Sequence, residues 1–249
     1  MATIGITDSG MGGLTILNAL FSNNKCNNYI YYADIANCPY GMKSSKEITE
    51  LTRNCCNKLI EMGADIIVIA CNTATSAAID TLRQEFKIPI VGTEPAVMPA
   101  IADKSKKILV LATPYTINSE RYYKLINKYE DRIINCPCSD LARLIEDFAP
   151  DFIQMYDYME SILKPFRDCN AIVLGCTHYV LLKDIIHRIM PNVALYDSSS
   201  GIVRQVNYLI DKNKIPNSLI CEGNIKLLST NNCNMDNYNK VLTKINKRE

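Results

Sequence analysis

The chain has 249 residues, long enough for one large α/β domain or two of about 100–125 residues, each with a real core. Its 27 Lys+Arg stand against 26 Asp+Glu, a net charge of +1 with no basic block before the last few residues, which excludes a nucleic-acid or membrane-surface role carried by charge. No charged leader precedes the strand-like start and no apolar run reaches about 18 residues, so a soluble, cytoplasmic protein is expected.

The first expected strand, residues 2–7, runs into Asp8-Ser9-Gly10-Met11-Gly12-Gly13 and then a helix. This turn lacks the spacing of a dinucleotide-binding loop. It presents Asp8 and Ser9, with backbone N–H groups free to hold an anion such as a carboxylate. A strand at 29–32, a helix at 45–62, a strand at 65–70, a helix at 74–86 and a strand at 89–92 follow. Pro95 to Pro99 marks a crossover. Beyond it the order repeats: strand 107–112, helix 116–128, strands 132–135 and 171–175, helix 179–190 and strand 193–196, with a return crossover expected from Asp197 to Arg204. Past about residue 230 the Asn- and Lys-rich sequence reads as a final helix with a frayed end.

Strands alternating with helices predict an α/β protein built from parallel, doubly wound sheets. The halves also echo one another. Asp-Ser-Gly follows one strand and Cys-Asn-Thr another; later Ala-Thr-Pro-Tyr-Thr (112–116) and Cys-Thr-His take the same places. Two similar lobes facing across a cleft are therefore expected. The first, discontinuous, comprises 1–97 plus 206–249, and the second 98–205.

The strongest chemical signal is a pair of thiols, Cys71 in Ile-Ala-Cys-Asn-Thr and Cys176 in Leu-Gly-Cys-Thr-His, 105 positions apart (71 to 176). Each ends an apolar, β-branched run, which places it at the C-terminal end of a buried parallel strand, where open α/β sheets hold ligands. Two matched thiols suit chemistry on opposed faces of one small substrate. Eleven cysteines do not make a disulfide framework here, because the number is odd and no export signal is seen. Close pairs occur only at Cys55–Cys56 and Cys136-Pro-Cys138, and the histidines are His178 and His187, so no structural zinc is expected.

Six segments in order carry a resemblance: Thr-Asp-Ser-Gly-Met-Gly-Gly (7–13), Cys-Pro-Tyr-Gly (38–41), Ala-Cys-Asn-Thr-Ala (70–74), Glu-Pro-Ala (94–96), Thr-Pro-Tyr-Thr-Ile-Asn-Ser (113–119) and Leu-Gly-Cys-Thr-His-Tyr (174–179). Together, from residue 4 to about 205, they resemble the glutamate racemases of the aspartate/glutamate racemase family. The resemblance implies a cofactor-independent racemase of two lobes with pseudo-twofold symmetry, in which one cysteine removes the α-proton and the other returns one to the opposite face. It implies Cys71 and Cys176 as the acid–base pair, helped by Asp8 and His178, with Glu146 orienting His178. It further implies glutamate binding by Asp8, Ser9, Tyr40, Gly41, Asn72, Thr73, Thr116, Thr177 and His178, a homodimer, no metal, and a product destined for peptidoglycan. The chain departs from the family pattern at Ala33, Asn37, Ala112 and Val180 and in the short Thr93-Glu94 stretch, none of which removes a catalytic group.

A free cysteine ionises near pH 8.5 and acts as a base only as thiolate, so each thiol needs help from its neighbours or from the substrate ammonium. Without pyridoxal phosphate, a carbanion at an amino acid's α-carbon calls for a closed, dry site of aimed donors. Each residue also has a plainer reading. A buried strand-end cysteine is usually a small hydrophobe; Asn72, Thr73 and Thr177 suit helix N-caps; Tyr40 and Gly41 suit a turn after Pro39. Cys38 reads as packing and His187 as a surface residue. Two alternative functions stay open, an aspartate or broad acidic amino-acid racemase and a catalytically silent amino-acid-binding protein. His178 argues against the former and the retained thiols against the latter.

Overall fold

The computed structural model describes residues 1–216, 223–230 and 235–246. Its strands are β1 (Thr3–Asp8), β2 (Asn28–Ala33), β3 (Ile66–Ile69), β4 (Ile90–Gly92), β5 (Ile108–Ala112), β6 (Ile133–Pro137), β7 (Ala171–Leu174), β8 (Ala194–Tyr196) and β9 (Ile225–Ser229). The helices are α1 (Leu14–Asn23), α2 (Ser45–Glu61), α3 (Asn72–Glu85), α4 (Val97–Ala102), α5 (Pro114–Ile117), α6 (Glu120–Ile126), α7 (Leu141–Phe148), α8 (Tyr156–Leu163), α9 (Lys183–Ile189), α10 (Ser199–Lys212) and α11 (Asp236–Asn246).

The strands form two sheets in the orders β4-β3-β1-β2-β9 and β6-β5-β7-β8, and every pairing is parallel. Read in reverse, the second order is 8-7-5-6, the first sheet's 4-3-1-2 advanced by four strands. The repeat in sequence is thus a repeat in topology. Thr7 pairs with Ile69 and Leu111 with Leu174 in matching registers. Cys71 and Cys176 therefore stand at equivalent positions, each two residues past the last paired one, and Ser9 is matched by Thr113.

Alternation explains why these runs become strands buried on both faces. In β3, Ile66 and Val68 enter one core cluster and Ile67 and Ile69 another. In β5, Leu109 and Leu111 join the first cluster while Ile108 and Val110 join a third. That first cluster takes apolar side chains from both sheets together with α1, α7, α8, α10 and α11, so the lobes share packing. Removing one such Ile or Leu from water contributes about 1.5–3 kcal/mol.

Local chemistry sets the element ends. Ser44 caps α2 by accepting the Glu47 N–H at 3.3 Å, and Gly63, at φ +86°, turns the chain out of it. The helix expected over 116–128 is broken at Asn118-Ser119, where Ser119 accepts the Tyr122 N–H and starts α6. The stretch expected as helix 179–190 opens as a 3₁₀ turn, Thr177–Leu182, before α9. Asp197 to Arg204 is largely the start of α10, a continuous helix that packs on α1 and spans the expected lobe boundary at 205–206. Strand β9, absent from the expected elements, pairs with β2 and extends the first sheet. It is short and lies at an edge, with only a weak apolar alternation. The final helix is α11; the frayed end expected beyond it lies outside the described residues.

Candidate active site

The C-terminal ends of β1, β3, β5 and β7 deliver the polar residues. Cys71 and Cys176 are 6% and 7% exposed, and Asp8, Ser9, Asn72, Thr73, Thr116, Thr177 and His178 are also buried. Cys71 itself is the N-cap of α3: its Sγ accepts the Ala74 N–H at 3.4 Å and lies 3.8 Å from Ser9 Oγ. Asn72 and Thr73 are consequently the first helical residues rather than the cap. Thr73 Oγ1 lies 2.9 Å from Thr113 Oγ1 and 3.4 Å from Thr116 Oγ1, which joins α3 to the β5–α5 turn of the opposite lobe. The side-chain oxygen of Asn72 is buried with no hydrogen-bond partner, a polar atom left for a ligand to satisfy.

Asp8 bridges the lobes from the other side. One carboxylate oxygen accepts the Gly10 N–H at 3.0 Å and the other accepts the Thr177 hydroxyl at 3.0 Å. Thr177 thus bonds Asp8 rather than capping a helix. Burial raises the Asp8 carboxyl above its usual range, against the lowering effects of His178, the Gly10 N–H and Thr177.

Cys176 belongs to a relay. Its Sγ is 3.8 Å from His178 Nδ1, and His178 Nε2 is 2.7 Å from Glu146 Oε1 on α7. Glu146 is held in turn by the Met11 N–H at 2.6 Å and by the Tyr238 hydroxyl of α11, which donates to Oε2 at 3.2 Å. Burial alone pulls the imidazole down, but hydrogen bonds to Cys176, Cys38 and Glu146 outweigh it and lift His178 well above its ordinary value. With Glu146 anchoring Nε2–H, Nδ1 is left facing the thiol. The Cys71 thiol is pushed up to about 12, first by burial and then by the Asp8 charge, with Cys176 adding to the rise and the Ala74 N–H and Ser9 opposing it. The matched thiols therefore sit in unmatched surroundings.

The remaining expected residues take other places. The Tyr40 hydroxyl is buried and donates to Asp34 at 2.6 Å, leaving it committed within its own lobe. Gly41 lies against the second lobe, since a Cβ there would stand 3.4 Å from the Thr113 Cβ. His187 is exposed. Cys38 is not mere packing: its Sγ lies 4.0 Å from Glu146 Oε1. Thr113, Tyr238 and Tyr31, whose hydroxyl donates to the Gly10 carbonyl, also join the network without having stood out as site residues in the sequence. Position 113 does carry a signal, as the topological counterpart of Ser9.

Paired parallel-sheet lobes, with a thiol at equivalent strand ends and shared polar contacts between them, define a two-lobed α/β protein with a polar site of twofold design. Residues 19–206 match the Asp/Glu/Hydantoin racemase family, and the chain belongs to that family. It is 41% identical over 233 residues to a glutamate racemase of Clostridium acetobutylicum, covering 91% of both chains. Among solved structures it resembles a glutamate racemase from Bacillus anthracis, with a TM-score of 0.84 and 25% identity over 98% of this chain and 93% of that one. It matches the Escherichia coli glutamate racemase, solved with L-glutamate and the activator UDP-MurNAc-ala, at a TM-score of 0.84 and 26% identity, covering 99% and 94% of the two chains.

Proposed function

We propose that this protein is a glutamate racemase that interconverts L- and D-glutamate with Cys71 and Cys176 as its two acid–base groups and no cofactor. The observation that carries the mechanism is the placement of the two thiols at equivalent registers of the two sheets. One thiolate takes the α-proton and the opposite thiol gives its own proton to the other face of the carbanion. After one turnover the first sulfur holds a proton and the second has lost one, the state needed for the reverse reaction. His178 Nδ1, anchored through Nε2 to Glu146, takes and returns the Cys176 proton. Burial and then the Asp8 charge hold the Cys71 thiol up, and the substrate ammonium entering beside Asp8 offsets that charge. None of the expected site residues is Lys or Arg, so the two carboxylates are bound by neutral donors: Ser9, Asn72, Thr73, Thr116, Thr177 and the strand-end backbone N–H groups. Because both thiols are nearly sealed, substrate entry requires the two sheet-bearing lobes to part.

The product, D-glutamate, serves peptidoglycan synthesis, and the protein works as a cytoplasmic homodimer. Among the described residues no helix is long and apolar enough to cross a membrane. Incubation with L-Glu, D-Glu, L-Asp and D-Asp, followed by chiral chromatography, should show racemisation of glutamate only. Cys71→Ser and Cys176→Ser should each abolish it with the fold retained. Racemisation of aspartate at a comparable rate would move the reading to a broad acidic amino-acid racemase, and substantial activity in either serine variant would refute the two-thiol assignment.

A further inference from the structure

Cys38, Glu146 and His178 come from three separate parts of the chain, yet each offers one donor atom and these atoms lie within 4.8 Å of one another. Sequence spacing cannot show this grouping. Gly10 makes the approach feasible. A Cβ at position 10 would stand 2.0 Å from Glu146 Oε1, 2.9 Å from His178 Nε2 and 3.0 Å from Cys38 Sγ, so the three donors converge on the bare face of a glycine.

From this convergence we infer an inhibitory binding site for a thiophilic divalent cation, Zn²⁺ in the first instance. The donor set is the one zinc prefers: a thiolate, an imidazole nitrogen and a carboxylate oxygen, with bond lengths of about 2.3, 2.0–2.1 and 2.0–2.2 Å. The sulfur selects against Mg²⁺ and Ca²⁺. Charge balances as well, since a thiolate and a carboxylate offset the two positive charges and the imidazole binds neutral. Tetrahedral bonds of that length separate nitrogen and oxygen by about 3.4 Å. The present Nε2–Oε1 separation of 2.7 Å therefore opens by well under 1 Å, while Cys38 Sγ moves in from 4.0 Å. Cys38 and Glu146 are only half-buried, which leaves a path for the ion and a water as fourth ligand.

Binding displaces the Cys38 thiol proton, and the His178 proton shifts from Nε2 to Nδ1 so that the imidazole binds neutral. The metal then occupies the nitrogen that Glu146 anchors, so His178 can no longer cycle a proton at Nδ1 for Cys176, and turnover stops. The inhibition rests on the racemase reading, whereas the binding does not.

The test uses metal-free protein in two arms. Equilibrium dialysis should find one Zn²⁺ bound per chain, and Co²⁺ in its place should give a thiolate-to-metal charge-transfer absorption band. In Cys38→Ala, affinity should fall at least tenfold and the Co²⁺ band should vanish. Glutamate racemisation by wild type should be lost as Zn²⁺ is added and return with EDTA. Read against its own metal-free rate, the Cys38→Ala variant should need at least tenfold more Zn²⁺ than wild type for half-inhibition, with Cys38→Ser as a check on local packing. Equal inhibition of wild type and both variants would place the metal on Cys71 and Cys176 and overturn the site, as would a dialysis result showing no bound Zn²⁺. Zinc binding that depends on Cys38, in a protein with no metal-free racemisation, would uphold the site and refute the enzyme reading instead.

Discussion

At Gly12 an added Cβ would run into backbone as well as side chains, and Gly12→Ala tests whether the loop bearing Thr177 and His178 tolerates displacement. A Cβ at position 12 would lie 2.5 Å from the His178 backbone nitrogen, 2.5 Å from Thr177 Oγ1 and 2.7 Å from His178 Nδ1. Ordinary contact is about 3.5 Å, so about 1 Å must open between the start of α1 and that loop. The obstacle includes backbone, which no rotamer change relieves. A shift of this size carries Thr177 off Asp8 and His178 off Cys176, for a loss of about 100-fold in kcat/KM, or about 2.7 kcal/mol. Overpacking should also lower stability by about 1–3 kcal/mol, a Tm drop of about 2–12 °C in a chain of this length. Gly201→Ala is the control: it is exposed on α10, and its added Cβ meets nothing nearer than Arg204 Nη2 at 4.0 Å. Replacing a helical glycine there should stabilise by about 0.5–1 kcal/mol with activity unchanged. The assay is racemisation in both directions by chiral chromatography, with thermal melts alongside. A Gly12→Ala enzyme within about threefold of wild type would show that the loop yields without disturbing the relay, and would refute the argument.

Tyr238→Phe removes the hydroxyl that donates to Glu146 and keeps the ring, so kcat should fall about two- to tenfold with the melting temperature little changed; wild-type kcat would reduce Tyr238 to packing. Burial pushes the thiols of Cys55, Cys56 and Cys71 up to about 12, above the unfolded value of about 8.5. Their protonated forms thus stabilise the fold fully below pH of about 8.5, and that stability is lost as pH rises toward 12, by at most about 1.4 kcal/mol per thiol per pH unit. Urea midpoints should decline from pH 8.5 to 11, and a flat profile would contradict the burial argument. In His178→Asn, the direction in which Cys176 takes the α-proton should show a larger primary isotope effect with α-deuterated glutamate than in wild type, while the ratio of kcat/KM values stays near unity. Unchanged isotope effects and wild-type rates would make His178 structural.

Much of the fold is legible in the sequence because its strands are continuous β-branched runs that the parallel sheets bury on both faces. Ile66 to Ile69 and Ala171 to Leu174 carry that signal without help from tertiary context. β9 carries little of it, since an edge strand of five residues packs weakly on its neighbours. The break between α5 and α6 was available in Ser119, an N-cap residue standing inside an otherwise helical pattern. In the site, residues just past strand ends are readable from local order. Thr113 meeting Thr73 across 40 positions, Tyr238 meeting Glu146 across 92 and Cys38 meeting Glu146 across 108 are not, because such contacts leave no periodicity in the chain.

The repeat in topology also limits how far symmetry extends into chemistry. Matching registers put a sulfur at the same place in each sheet, yet the backbone after β3 becomes an α-helix and the backbone after β7 a 3₁₀ turn. That difference frees position 178, two residues past the thiol, to swing an imidazole back toward Cys176, whereas the α-helix after Cys71 offers an N–H instead. Asp8 then completes the asymmetry, because its hydroxyl partner is Thr177 on the far lobe while its charge acts against ionisation of Cys71 on its own. In the proposed mechanism, a reaction that is symmetric in its substrates would thus run between a thiol served by a histidine–carboxylate relay and a thiol served by a helix start. The two directions must share an equilibrium constant near unity, so this inequality can appear only in how each direction divides its barrier between binding and proton transfer.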